Sequence, residues 1–216
     1  MNRTTRTFAP RALALTGVLA LVACGASGTT PGSMSGSTMP GMGSSTSSSA
    51  PAAASGTPAT GDHDTDDVTF ATEMVPHHRQ AVQMADLAAT RASSPEVKDL
   101  AARIKAAQSP EIAQMTGWLA GWGAPAPSDM GAMAGMGGDG MMSDQAMQSL
   151  GQASGTAFDV AFLTGMTAHH RGAIVQAQTE LSKGVNPEAK KLAGAIIAGQ
   201  TTEIAQMSAL LAKAGG

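Results

Sequence analysis

The sequence predicts an all-α fold, a four-helix bundle made of two duplicated helical hairpins. Three observations carry this: an internal repeat, apolar residues at helical spacing, and helix-start signals at matching positions of each copy. FATEMVPHHRQAVQMA, from Phe70, recurs as FLTGMTAHHRGAIVQA, from Phe162, an offset of 92 residues. PEVKDLAARIKAAQSPEIAQM, from Pro95, recurs at the same offset from Pro187. Residues 70–119 align without a gap on 162–211, and 22 of the 50 positions are identical. A repeat of this length fixes the architecture before any local propensity is considered.

Each copy, 66–122 and 154–214, reads as two helices. In the first, Phe70, Met74, His77, Ala81 and Ala85 step by three and four along one face. Asp66 and Asp67 are placed to cap it and to meet the positive end of its dipole. The second opens on Ser94-Pro95-Glu96, and its copy on Asn186-Pro187-Glu188: a capping side chain, Pro at the first helical position, then an acid. Val97, Leu100, Ile104, Met115 and Leu119 form its apolar stripe. Gly121 and Gly123 end it, and Gly215-Gly216 end the copy. Pro76 and Pro110 are expected to kink the first pair of helices; the copies carry Ala168 and Thr202 there. A two-helix hairpin cannot bury both of its stripes, so the halves are expected to pack on each other as one domain over 62–216. Between them, 123–143 is a Met- and Gly-rich loop, with a short helix expected within Ser143–Leu150.

The N-terminal part reads as address rather than fold. Arg3, Arg6 and Arg11 precede an apolar stretch, Ala12–Ala23, too short to span a bilayer, so 1–23 reads as an export signal. It ends in Leu21-Val22-Ala23-Cys24-Gly25, which resembles a bacterial lipobox, making Cys24 the lipidation site. Residues 24–61 are Gly, Ser, Thr, Ala and Pro with few large side chains, a flexible tether. The expected location is outside the cytoplasmic membrane, held there by lipid, or on an outer membrane if the envelope has one.

Composition closes off other classes. The single Cys excludes a disulfide framework and a Cys-based zinc site. A net charge of −3, with no basic stripe beyond the signal, argues against nucleic-acid binding. No phosphate loop, nucleotide fingerprint or nucleophile–His–acid arrangement is present, so neither a nucleotide partner nor an enzymatic activity is expected.

What remains is a set of polar residues on core stripes. His77 shares a face with Phe70 and Met74, and His78 stands one position round. Gln108 and Glu111 interrupt the stripe that runs from Ile104 to Met115 and Leu119. The copy repeats this with Met166, His169 and His170, then Gln200, Glu203 and Met207. A carboxylate on a buried face is costly unless paired, protonated or metal-bound. Imidazole suits copper, zinc, iron or nickel, and thioether selects Cu(I). The candidate metal ligands are therefore His77, His78, His169, His170, Met74, Met166, Glu111, Glu203, Met115 and Met207. Methionines in a Gly-rich loop are poor core fillers, so Met130, Met133, Met136, Met141 and Met142 form a second soft-metal candidate. Asp62-His63-Asp64 is a minor N/O-type candidate. A purely structural network is the competing account, with Glu111 accepting from His77 or Arg79 and Gln108 capping a Pro110 kink.

The segment Met74-Val75-Pro76-His77-His78-Arg79-Gln80-Ala81-Val82, with Gln108, Glu111, Ile112 and Met115 downstream, resembles the bacterial domain-of-unknown-function family 305. Met166–Ile174 and Gln200, Glu203, Ile204 and Met207 carry the resemblance a second time. It implies a ferritin-like helical bundle, exported and often lipid-anchored, with copper binding or copper tolerance in some members. Two accounts follow. In one the chain is an extracytoplasmic, lipid-anchored protein binding copper, as Cu(I) or Cu(II), for buffering, transfer or tolerance, with a copper donor or acceptor protein as partner. In the other it is a structural or partner-binding envelope module. A ferritin-like di-iron oxidase is a third reading, weakened because Gly165 replaces Glu73 in the copy and leaves only Glu111 and Glu203 as symmetric carboxylates.

Overall fold

The computed structural model describes residues 61–125 and 140–214. The signal, Cys24, the tether and Met130, Met133 and Met136 lie outside the described residues. Five helices follow one another: α1 Thr65–Arg91, α2 Pro95–Gly121, α3 Asp144–Gln152, α4 Gly155–Lys183 and α5 Pro187–Ala214. The four long ones form the bundle. α1 packs chiefly on α2, and α4 on α5; α1 against α4 joins the two hairpins, while α2 and α5 barely touch. The short α3 lies outside the four, against α1 and α4.

Local chemistry sets the ends. The cap of α1 is Asp64 rather than Asp66 or Asp67. Its side chain accepts from the backbone N–H groups of Asp66 and Asp67, and the Asp67 carboxylate reaches back to the Asp64 N–H at 2.8 Å, a reciprocal capping box. Asp64 is preferred because only a residue before the first turn leaves its carboxylate pointing along the orphan donors. Ser94 and Asn186 cap α2 and α5 as expected, Asn186 accepting from the N–H groups of Glu188 and Ala189. α2 closes at Gly123 (φ 69°): the Gly123 N–H donates to the Ala120 carbonyl and the Ala124 N–H to the Leu119 carbonyl. α1 and α2 run on through Pro76 and Pro110, each as one helix.

The apolar core comes in two lobes. One gathers Ala81, Met84 and Ala85 from α1, Leu100 and Ile104 from α2, Phe158, Phe162 and Met166 from α4, and Met207 from α5. The other gathers Phe70, Met74 and Val75 from α1, Met115, Trp118 and Leu119 from α2, Ala173 and Ala177 from α4, and Leu192 and Ile196 from α5. The first lobe takes the later part of α1 but the early part of α4, so these helices are antiparallel. On all four helices the residues between the lobes are the polar ones: His77 and His78, Gln108 and Glu111, His169 and His170, Gln200 and Glu203. The bundle is two apolar halves separated by a polar layer.

The hairpins are latched to each other by a duplicated aspartate. Asp67, fully buried at the start of α1, accepts from the N–H groups of Val185 (3.3 Å) and Asn186 (2.9 Å) in the α4–α5 turn. Asp159, 92 residues on, accepts from the N–H groups of Ser93 (3.1 Å) and Ser94 (3.0 Å) in the α1–α2 turn, and from the Ser93 hydroxyl. Each hairpin thus satisfies the backbone of the other's turn. Burial alone would raise the Asp67 carboxyl, but the donors from Asp64, Asn186 and Val185, with Glu180, hold it below its ordinary value.

Two predictions follow from the latches. Asp159→Ala strands two backbone donors and a hydroxyl, and is expected to cost about 2–4 kcal/mol, read from the denaturant midpoint at constant slope; a loss within about 0.5 kcal/mol contradicts the latch. Glu180 is buried beside Asp67, and burial first, then the Asp67 carboxylate, push its carboxyl up to about 8 from 4.5. The folded state therefore keeps a proton that the unfolded chain releases. The stability that this proton confers is full below pH 4.5 and falls as pH rises to about 8. Glu180→Gln is expected to remove that decline, measured as unfolding free energy against pH in parallel with the parent.

Candidate metal centre

Neighbouring residues on a helix point roughly 100° apart, so His77 and His78 cannot serve the same point. They divide the work. His77 turns toward α4, and His169 of α4 turns toward it. The two imidazole centroids are 3.7 Å apart with the rings tilted by 41°. His78 and His170 lie 6.5 and 6.4 Å from their chain neighbours and turn toward their own hairpins. There His78 Nε2 meets Glu111 Oε2 at 2.8 Å, and His170 Nε2 meets Glu203 Oε2 at 2.6 Å. All four histidines are 0% exposed. The glutamates sit at the rim of the layer, with 21% and 17% of their side chains exposed.

A carboxylate can only accept, so each glutamate fixes the proton of its histidine on Nε2 and leaves the lone pair on Nδ1. The Nδ1 atoms of His78 and His170 are buried and make no hydrogen bond, and neither ring nitrogen of His169 makes one of good geometry. Burial, and then the neighbouring histidines His77, His170 and His78, hold the His169 imidazole well below its ordinary value, which keeps it neutral. Gln108 also leaves both amide atoms without a partner, so it does not cap a break at Pro110; its copy Gln200 leaves its oxygen so. Uncompensated polar atoms of this kind are uncommon in a packed interior. They are concentrated in one layer, on all four long helices.

The predicted ligands are all in or next to this layer, but not as one chelate. Met74 and Met115 belong to one apolar lobe, Met166 and Met207 to the other, all fully buried. The Thr167 hydroxyl, which donates to the Leu163 carbonyl at 2.7 Å, stands 3.6 Å from the Met207 sulfur, whereas its counterpart in the first half is Val75, so the half-sites are not identical. Among the described residues no group of three or more His, Cys, Asp or Glu side chains converges as a metal site. The donor set on offer is imidazole paired across α1 and α4, with thioethers on either side. That fits a soft ion of low coordination number and does not fit a hard ion that needs several carboxylates. Glu111 and Glu203 orient rings instead of converging, and Glu111 pairs with His78 of its own hairpin. His63 stacks on Trp122 (4.8 Å, 11°) and Asp64 is committed to its cap, so Asp62-His63-Asp64 does not gather as a site.

Sequence reasoning missed the reciprocal Asp67 and Asp159 latches, though both lie at the repeat offset just outside the aligned segment. It also missed the hold of Gln80 on Met142, whose Nε2 donates to the Met142 carbonyl at 2.8 Å and whose Oε1 accepts from the Met142 N–H at 2.7 Å. The signal for that hold is a break in the duplication: the copy of Gln80 is Gly172.

A profile described as Domain of unknown function (DUF305) matches residues 67–211. The chain belongs to the DUF305 family. Among solved structures it is similar to a DUF305 protein from Streptomyces coelicolor, at 36% identity over 70% of this chain and 94% of that one, with a TM-score of 0.64. A DUF305 fragment from Deinococcus radiodurans matches at 29% identity over 73% and 99%, with a TM-score of 0.63. CopM in its Cu(I)-bound form matches at 31% identity over 69% and 98%, with a TM-score of 0.59. CopM is also described in Cu(II)-bound and Ag-bound forms. No curated protein matches the chain. Within this DUF305 chain the two motif copies supply the two hairpins, and their histidines meet where the hairpins do.

The tautomer assignment is directly testable. Long-range proton–nitrogen NMR correlations of the metal-free protein are expected to show His78 and His170 protonated at Nε2, with Glu111→Gln relaxing His78 alone; protonation at Nδ1 in the parent contradicts the role given to the glutamates.

Proposed function

We propose that the protein is an extracytoplasmic, lipid-anchored copper-binding protein that holds Cu(I) in the histidine layer for buffering, transfer or tolerance. The observation that carries this is the 3.7 Å approach of His77 and His169, two fully buried imidazoles brought together from duplicated motifs. His77 and His169 would hold the ion from the two hairpins, with thioethers from Met74, Met115, Met166 and Met207 nearest in the adjoining lobes. Glu111 and Glu203 would keep His78 and His170 in the tautomer that offers Nδ1 inward. When bound, copper would supply a soft cation to the imidazoles of the layer. No step of chemistry on a substrate is assigned, and the chain is read as a binder rather than an enzyme.

The copper-bound and silver-bound forms of CopM support the choice of metal. Export and anchoring rest on Arg3, Arg6, Arg11 and the Leu21–Gly25 segment with Cys24; no described helix is long and apolar enough to cross a membrane. A protein tethered this way would exchange copper with a donor or acceptor protein on the same face of the membrane. The second reading, a structural network, draws on the His78–Glu111 and His170–Glu203 hydrogen bonds, which serve packing without any metal.

A competition titration with a Cu(I) chelator separates the two. His77→Gln with His169→Gln is expected to weaken Cu(I) binding at least about tenfold, the equivalent of about 1.4 kcal/mol. Unchanged stoichiometry and affinity after replacing all four histidines, with only the thermal midpoint altered, would establish the structural reading instead.

A further inference from the structure

α1 and α4 are copies, so the places where they differ are informative. Glu73 becomes Gly165, Gln80 becomes Gly172, and Met84 becomes Gln176. Gly165, Gln80 and Met84 all meet at one residue, Met142, at the end of the Met-rich loop. Gln80, buried in the core, clamps the Met142 backbone with two hydrogen bonds. Gly165 leaves a slot for the Met142 side chain: a Cβ built there would stand 3.1 Å from the Met142 sulfur and 3.5 Å from the Met84 methyl. The Met142 sulfur and the Met84 methyl therefore crowd the same point. A residue of any other kind at 165 would compete for that space.

Met142 has two surroundings. Inward it reaches Met84, which is fully buried. Outward it lines an open cavity of about 410 Å³ beside α3, with Ser143, Gln145, Ala146, Ser149 and Ala161. Just before it, Gly140 runs against the backbone of Ala168 and His169, so the loop is seated over the α4 histidine turn. Packing needs a side chain in the slot, but not a backbone clamp on a partly exposed one.

We propose that Met84 and Met142 form a second, thioether-only site that takes a soft monovalent cation, Cu(I) or Ag(I), from the open cavity beside α3. Two neutral sulfurs suit such an ion and offer nothing to a hard divalent one. The site is separate from the histidine layer and uses none of the residues assigned there, so it stands or falls independently of that reading.

The test is a titration of the purified chain, labelled with carbon-13 at the methionine methyls, with Ag(I) nitrate. The Met84 and Met142 methyl signals are expected to shift together, and to do so equally in the His77→Gln, His169→Gln variant. Met142→Leu conserves volume and is expected to abolish the Met84 shift and lower the Ag(I) stoichiometry by one equivalent. Met84→Leu, measured alongside, is expected to abolish the Met142 shift. Met84 signals unmoved at saturating Ag(I), or an unchanged stoichiometry in both single variants, would overturn the proposal and leave the pair as core packing.

Discussion

Four imidazoles buried at mid-height of the bundle constrain everything around them. Each leaves at least part of its hydrogen-bonding capacity to be met by protein or ligand, and an unmet buried nitrogen costs on the order of 1–3 kcal/mol. Apolar side chains cannot meet it, so the core splits into two lobes, one on each side of the layer. The lobes then carry the packing of a chain with very few aromatic residues. Ala81, Ala85 and Ala88 on α1 and Ala173 and Ala177 on α4, all small and buried, line the two inner helices.

Duplication solves the geometry of such a layer economically. A single His-His motif can present one ring to another helix and one to its own hairpin, because of the helical turn between them. Two copies in antiparallel register bring the outward rings, His77 and His169, together at 3.7 Å between centroids. The inward rings, His78 and His170, each find a glutamate on the partner helix of the same hairpin. The same symmetry places Asp67 and Asp159 on each other's turns, so the elements that hold the hairpins together are as duplicated as the histidines they align. Where the copies diverge, at Gly165, Gln80 and Met84, the molecule has acquired something the repeat alone does not provide: a seat for Met142.

Much of this could be read from residues alone. The helices, the Pro-marked starts of α2 and α5, and the short helix after the loop follow from capping chemistry and periodicity, and α3 begins where Ser143 caps it. The identity of the polar layer followed from the interruption of apolar stripes at the same register in both halves. Three things were hidden. Spacing shows that His77 and His78 lie on a core face, but which one turns to α4 depends on how the hairpins cross. Asp67 serves the α1 capping box and also the α4–α5 turn, and that second, long-range task is one local preference cannot register. The Gln80–Met142 clamp joins residues 62 positions apart, and its one trace in the sequence, Gly172 at the copy of Gln80, does not say what Gln80 holds.

The account turns on whether copper sits between imidazoles contributed by the two hairpins. X-ray absorption at the copper edge, on Met142→Leu protein loaded with one equivalent of Cu(I), answers this most directly. The predicted spectrum has a mixed shell of nitrogen and sulfur scatterers, with the outer-shell features of rigid imidazole rings that vanish in the His77→Gln, His169→Gln variant. A shell of sulfur alone, or one of nitrogen and oxygen unchanged by that variant, would contradict it.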